Sequence, residues 1–453
     1  MAMSLSNKLC YYTLAIIMLL GLHLRLQAVR QTVVDTPIRA DARGYVFYAI
    51  NLNVFHAYSR SPDAIEGKTA TPQPDAVCNP AYPLFLTLFF GDNFSEKTIL
   101  LITLAQALLS TLTIGFVYMA STAIIPRSYA LLSALFTALS PHLVTANVYL
   151  LTESLFCFLL ILFLWLLSRW RTSPSNALLL GTGAVLALAT LTRPWTQYFI
   201  IPLMLLVATS PHIVRPKRCV ALLGLGFFVL MGLWAGRNLS TLGSISDNTL
   251  MISTLHSGIY PGMMYENRPE TLGYPYRFDP RVPEIVASMH SVSMEIFRRF
   301  REQPMEYFQW YILGKPVMLF SWNIYEGPGD VFIYPVLYTP YADSMLFHAT
   351  HEIMRTLHEW LVALAALGCL IAWLPGARLG MGDGQLFFMH SISSLFAYFV
   401  LIHSIGAPFA RYSIPMQPVV YVLALFSIWQ MARLSHYVLI SAKKFISTLG
   451  FPT

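Results

Sequence analysis

The stretch ALLLGTGAVLALATLTRPWTQYFIIPLMLLVAT, residues 177–209, decides the fold. It is apolar on both sides of Arg193-Pro194 and carries no other charge. One bilayer crossing takes roughly 20 apolar residues. The stretch is therefore too long for one crossing and short for two. Proline stops a helix, so the chain must reverse at Arg193-Pro194. The turn is expected to sit recessed in one leaflet, where an arginine needs an anionic partner.

Working outward, the whole chain has this character. Of its 453 residues, 56% are hydrophobic and 11% charged, against about 25% charged in a soluble domain. Apolar runs near 9–28, 98–123, 129–147, 148–168, 177–192, 195–209, 219–236, 356–374, 385–405 and 412–432 suggest about ten spanning helices. The fold class expected is an all-α integral membrane protein. The first run is long for a signal peptide and lacks a small-x-small cleavage site, so it reads as retained.

Short connections carrying Lys8, Arg127, Arg169 with Arg171, Arg215 with Lys217 and Arg218, Arg378, and Arg433 with Lys443 and Lys444 fall on alternate turns. Basic residues mark the cytoplasmic side, which places both termini there. The tail (Tyr437, Leu439, Ile440, Phe445, Ile446) suits a helix lying on the inner leaflet. The outer face then receives everything long: a first loop at 29–97, and a larger loop or small domain at 237–355 before the last three spans. The organisation expected is a core at 1–236, the large loop at 237–355, and a C-terminal part at 356–453.

The net charge of +7 is scattered between apolar runs, with no basic block interleaved with aromatics, so nucleic acid is not an expected partner. The five cysteines form no CxxC or Cys/His cluster. His348-x-x-His351-Glu352 lacks a third ligand at a telling spacing, and a divalent metal is not favoured. Glu153 is the one carboxylate well inside a span. A coupled transporter places ionisable groups near mid-membrane. Their scarcity points instead to a site at the outer surface.

Tyr45, Tyr48, Ala49, Leu52 and Phe55 recur at helical spacing, which predicts a surface helix just after Asp41. Asp41 suits an N-cap there as well as a reactive carboxylate. A second surface helix is expected with Asn79 as cap and Pro80 at its first position, ending at Gly91. A further helix near 304–322 would suit either a lid or plain packing. Asn93-Phe-Ser95 and Asn238-Leu-Ser240 match the N-glycosylation pattern, which is common by chance.

Six short motifs then occur in order. They are Asp41-Ala-x-x-Tyr45-x-x-x-Ala49-x-x-Leu52, Asn79-Pro80-Ala81-Tyr82-Pro83, Thr152-Glu153-Ser154-Leu155-Phe156, Thr192-Arg193-Pro194, Trp234-x-x-Arg237-Asn238 and Arg411-Tyr412-x-x-Pro415-x-x-Pro418. Together they resemble the C-type polyprenyl-phosphate-dependent glycosyltransferases, the group containing protein O-mannosyltransferases and aminoarabinose transferases. The resemblance covers roughly 10–240 and 400–435, and the large loop lies outside it.

That resemblance implies transfer of a sugar from a polyprenyl-phosphate donor to a glycan, lipid or protein acceptor, by inverting direct displacement. It implies a carboxylate general base, for which Asp41 is the candidate and Asp35 the reserve. Arginines grip phosphate oxygens through paired bonds, so Arg193, Arg237 and Arg411 are the candidate phosphate ligands, with Arg43 and Lys315 behind them. Glu153 reads as a structural partner for an outer arginine, with Tyr45 and Tyr82 near the site. The implied place is the inner membrane of a bacterium, with the site facing the periplasm or exterior. The competing readings are a transporter or flippase for a lipid-linked glycan and a non-catalytic subunit of an envelope assembly.

Overall fold

The computed structural model describes residues 5–62, 66–67, 69–90, 94–374 and 381–448, without the side chains of 5–7 and 436–448. Gly91, Asn93 and Arg378 lie outside the described residues, as do the side chains of the tail from Tyr437 to Ile446.

Apolar runs become helices because a backbone surrounded by lipid must bond within itself. The first part of the chain is α1 (Leu5–Gln31), two surface helices α2 (Ala40–Phe55) and α3 (Ala81–Thr87), then α4 (Glu96–Ser121). Next come α5 (Arg127–Leu139), α6 (Pro141–Thr145), α7 (Glu153–Thr172), α8 (Asn176–Thr192), α9 (Ile200–Thr209) and α10 (Pro216–Leu242). The large loop holds short helices: α11 (Thr249–Ser257), α12 (Val282–Ile285), α13 (Met289–Glu302), α14 (Pro304–Gln309), α15 (Lys315–Leu319) and α16 (Pro340–Asp343). The chain then continues as α17 (Met345–Ile371), α18 (Asp383–Ile405) and α19 (Gln417–Thr448).

Among the described residues, seven helices are long and apolar enough to span, or up to eight if the α5–α6 pair, bent by 52°, is one span. The hairpin that opened the sequence reading is shorter: Asn176–Thr192 and Pro194–Thr209 are apolar but below spanning length. The ten expected runs thus all exist as helices, but only up to eight have full spanning length.

The α5–α6 bend has a specific chemical cause. Pro141 has no N–H, so the carbonyl of Thr137 loses its helical donor. Arg25, fully buried in α1 and not singled out from the sequence, fills the gap. Its Nη2 donates to Thr137 O at 3.0 Å, its Nη1 to Ala138 O at 3.1 Å and Gly21 O at 3.0 Å, and its Nε to Ser110 Oγ at 2.7 Å. A charge inside a span is thereby spread over carbonyls that the break exposes.

Helices α8 and α10 approach backbone to backbone. A Cβ on Gly183 would lie 2.1 Å from Leu223 O, and one on Gly226 would lie 2.1 Å from Leu180 O. Small residues permit such contact in membrane bundles. Outside the bundle, Val33–Val34 pairs antiparallel with Val336–Tyr338, joining the start of the first loop to the end of the large one.

Candidate active site

Three helix starts and one helix end converge at one face of the bundle. Glu153 is the first residue of α7, where a carboxylate faces the positive end of the helix dipole. Arg193 caps the C-terminal end of α8, where a cation is favoured. Arg411 lies in the 3₁₀ turn Ala410–Met416 that opens the last span. Asp41 is in the first turn of α2.

Their side chains form an alternating chain of charges. Arg193 Nη2 donates to Glu153 Oε1 at 2.8 Å, and Arg411 Nε lies 3.6 Å from the same oxygen. Arg411 Nη2 donates to Asp41 Oδ2. The Tyr412 ring lies beneath both guanidiniums, at 5.3 Å from Arg193 and 5.8 Å from Arg411. Glu153 is fully buried as a side chain, Arg411 is 13% exposed and Asp41 is 50% exposed. The Arg411 guanidinium holds the Asp41 carboxyl below the usual carboxylate range, so it stays ionised. The cluster also contains buried polar atoms without hydrogen-bond partners: Glu153 Oε2, Arg193 Nη1, Arg411 Nε and the neighbouring Trp195 Nε1. Buried N–H groups left unmade are costly and call for a partner.

The N-cap reading of Asp41 is corrected. Arg39 precedes α2 as its cap residue, with no side-chain cap bond, and the Asp41 carboxylate turns to Arg411 instead. Ala40, just before it, has φ +43°. An alanine in that region costs about 1–3 kcal/mol, a strain typically kept at functional sites. Tyr334 of the large loop helps hold the turn: its hydroxyl accepts from Ala42 N at 3.4 Å and its ring faces Arg39 at 5.7 Å.

The second surface helix is corrected likewise. It runs Ala81–Thr87 with Pro80 as cap. The Asn79 amide does not cap it but donates to Thr190 O at 2.8 Å, tethering the first loop one turn below Arg193. Tyr45 meets the Tyr82 ring edge-on at 5.2 Å, and Tyr82 Oη donates to Gln106 Oε1 at 2.7 Å. Gln106 in turn donates to Asn147 O and Tyr149 O, fixing the link from α6 to α7 and so the position of Glu153.

The remaining candidates lie elsewhere. Asp35 faces Arg39 at 3.8 Å, and Arg43 is exposed. Arg237 donates to Asp75 O at 2.9 Å, Asn238 Oδ1 at 3.0 Å and Tyr58 O at 3.2 Å, with the Tyr58 and Trp234 rings each 5.2 Å away. It is a clasp on the first loop. Arg237→Gln is therefore expected to lower stability by about 1–3 kcal/mol, which a thermal unfolding curve checks.

Lys315 is fully buried. Its Nζ donates to Gly406 O at 2.8 Å and sits 3.4 Å from the Tyr311 ring centroid, clamping the turn that leads to Arg411. His351 Nε2 lies 2.8 Å from Asp330 Oδ2 and its Nδ1 3.1 Å from Glu352 Oε1.

Glu326 was missed by the sequence reading. Its Oε1 accepts from the Arg411 backbone N–H at 2.9 Å, and burial pushes its carboxyl up. It lies in the large loop, where no motif marks it.

Fold and site together describe a helical membrane protein with a charge cluster at one face of its bundle. The family profile described as "Dolichyl-phosphate-mannose-protein mannosyltransferase" matches residues 78–234, bearing out the resemblance seen in the motifs. Among solved structures, the chain shares its fold with the oligosaccharyltransferase AglB from Archaeoglobus fulgidus in complex with an inhibitory peptide and a dolichol-phosphate. That likeness has TM-score 0.52 and 14% identity, over 99% of this chain and 53% of that one. The same enzyme tethered with an acceptor peptide matches at TM-score 0.50 and 15% identity, over 94% of this chain and 50% of that one. A looser likeness is to ArnT from Cupriavidus metallidurans bound to undecaprenyl phosphate, at TM-score 0.34 and 12% identity over 95% of this chain and 79% of that one. The chain thus spans about half the length of the oligosaccharyltransferase it matches. No curated protein matches it in sequence.

Proposed function

We propose that this protein transfers a sugar from a polyprenyl-phosphate donor to an acceptor nucleophile, by inverting direct displacement, at the non-cytoplasmic membrane surface. The observation that carries the reading is the Asp41–Arg411–Glu153–Arg193 chain, with two arginine N–H groups buried and unpartnered. Donors of this kind suit a phosphate oxygen in a low-dielectric setting.

Arg193 and Arg411 hold the donor phosphate, and Glu153 fixes both guanidiniums between visits of the ligand. Asp41 takes the proton from the acceptor hydroxyl or amine as its lone pair attacks the anomeric carbon. The bond from that carbon to the phosphate oxygen breaks, and its electron pair leaves on the polyprenyl phosphate. The arginines neutralise that charge. The proton passes from Asp41 to solvent, which its half-exposed carboxylate can reach. The basic connections on the opposite side support a cytoplasmic placement of both termini, and a bacterial inner membrane with the site toward the periplasm is the corresponding location.

The test is reconstitution of the purified protein with a polyprenyl-phosphate sugar and measurement of released polyprenyl phosphate. Consumption of donor supports the reading. Labelled glycolipid crossing the vesicle without donor consumption would establish a carrier instead.

A pH profile adds a second check. Arg411 lowers the Asp41 pKa, so the ionised base persists as pH falls and the acid limb of kcat/KM lies below the ordinary carboxylate value of about 3.9. Arg411→Gln is expected to move that limb upward and to raise the donor KM. An unmoved limb would separate Asp41 from the rate.

A further inference from the structure

We propose that the large loop carries a binding site for an anionic phospholipid of the leaflet on the Arg411 side, with headgroup contacts on α13 and acyl contacts along α14 and α15. The site is separate from the Asp41–Arg411 cluster and does not rest on the transferase reading.

Among the described residues, a row of apolar side chains along the α14–α15 segment is uncovered. Met305 is 67% exposed, Phe308 58%, Ile312 56% and Val317 74%. Spacings of three and four put Met305, Phe308 and Ile312 on one face, Val317 is uncovered further on, and Tyr307, Trp310, Lys315 and Leu319 of the same segment are buried.

Depth decides what meets that row. Lys315 Nζ reaches Gly406 O, just past the end of α18. Five residues later the Phe320 ring stacks on Phe396 at 5.6 Å. Phe396 lies about 13 Å below the end of α18 at 1.5 Å per residue, close to half of a hydrocarbon core about 30 Å thick. The segment therefore descends beside α18 into the leaflet. Val317, between those two levels, is uncovered and faces acyl chains, while Ile312, about one turn before Lys315, lies at the level of the helix end.

Charge then selects the headgroup. Helix α13 exposes Met294 and Phe297, and beside them Arg298 and Arg301. With Arg281 they border an open groove of about 460 Å³ between α12 and α13. Carboxylates share the region. Glu284 is exposed and lies 3.9 Å from Arg281, and Glu302 accepts from Arg298 at 2.7 and 2.8 Å. Glu295 is buried and accepts from Arg281, Arg298 and Arg299 at 2.6–3.3 Å, which leaves Arg301 as the rim arginine without a carboxylate contact among the described residues. Glu295 thus anchors the helix from behind, and three guanidiniums rim the opening. Along the chain the order is arginines, then Met305 and Phe308, then Ile312 and Val317. That is the order of headgroup, interface and hydrocarbon.

The experiment is hydrogen exchange on the full chain in nanodiscs of phosphatidylcholine with rising phosphatidylglycerol, with benzoylphenylalanine placed at Phe297 and at Ile312. Amides of 289–309 are expected to slow as phosphatidylglycerol rises, and both positions to cross-link to lipid. Arg301→Gln leaves the Glu295 contacts intact and is expected to raise the phosphatidylglycerol fraction at half-protection about five-fold, the equivalent of about 1 kcal/mol per arginine. Equal exchange in all lipid mixtures, or no lipid adduct at Ile312, would overturn the proposal. Equal protection by inorganic phosphate or a soluble acidic peptide in pure phosphatidylcholine would also overturn it, since the groove would then serve a soluble anion. None of these readouts depends on sugar transfer, so failure here leaves the transferase reading standing, and the reverse.

Discussion

Asp41→Asn is expected to reduce release of polyprenyl phosphate by about 10²–10⁴-fold, the usual worth of a positioned general base. Asparagine keeps the shape and can still contact Arg411 through its carbonyl oxygen, so the change removes basicity more than structure. Donor affinity should stay within a few-fold, because Arg193 and Arg411 remain. Single-turnover measurement with saturating donor separates the two quantities. Asp35→Asn is the control. Asp35 faces Arg39 and not Arg411, and its variant should retain the parent rate. Full turnover by Asp41→Asn would remove Asp41 from the mechanism, and loss of turnover on changing Asp35 would transfer the role.

The second large effect is on stability. Glu153 is the buried carboxylate shared by two arginines. Glu153→Gln leaves Arg193 and Arg411 close together without that counter-charge, and breaking a buried pair costs about 3–5 kcal/mol. The thermal unfolding midpoint in detergent should fall accordingly. Combining the change with Arg193→Met should recover part of the loss, because the double variant buries one fewer unpaired charge. The coupling energy of that cycle measures the pair directly. Strict additivity would mean that the contact carries no energy, and Glu153 would then be free for another role.

Much of the fold was legible because lipid imposes simple rules. Apolar runs must be helical, and all ten marked in the sequence are, the run at 129–147 as the bent pair α5–α6. The reversal at Arg193-Pro194 was legible from length alone, and the need for an anion near Arg193 followed from its recessed place. Glu153 meets that need at 2.8 Å. Less was legible at helix starts. Asp41 and Asn79 both have the chemistry of caps, yet each side chain left its own helix for a partner elsewhere. A local propensity of about 1 kcal/mol yields to a buried, charge-assisted contact. Arg25 escaped notice because its partners are backbone carbonyls exposed by a proline in a different helix.

The sequence by itself determined the solvent of this protein, its helices, and the set of charges gathered near helix ends on one face. Those follow from residue type and spacing along a single segment. Only the tertiary structure decided which charges meet. Asp41 and Arg411 are 370 positions apart, and no periodicity links them. Arg237 has the same chemistry and a similar place at a helix end, yet it closes on Tyr58 and Asp75 of the first loop. Spacing places a side chain on a face of its own helix, whereas its partner depends on how separate helices pack. Here that packing brings Asp41, Glu153, Arg193 and Arg411 into one cluster and leaves Arg237 outside it.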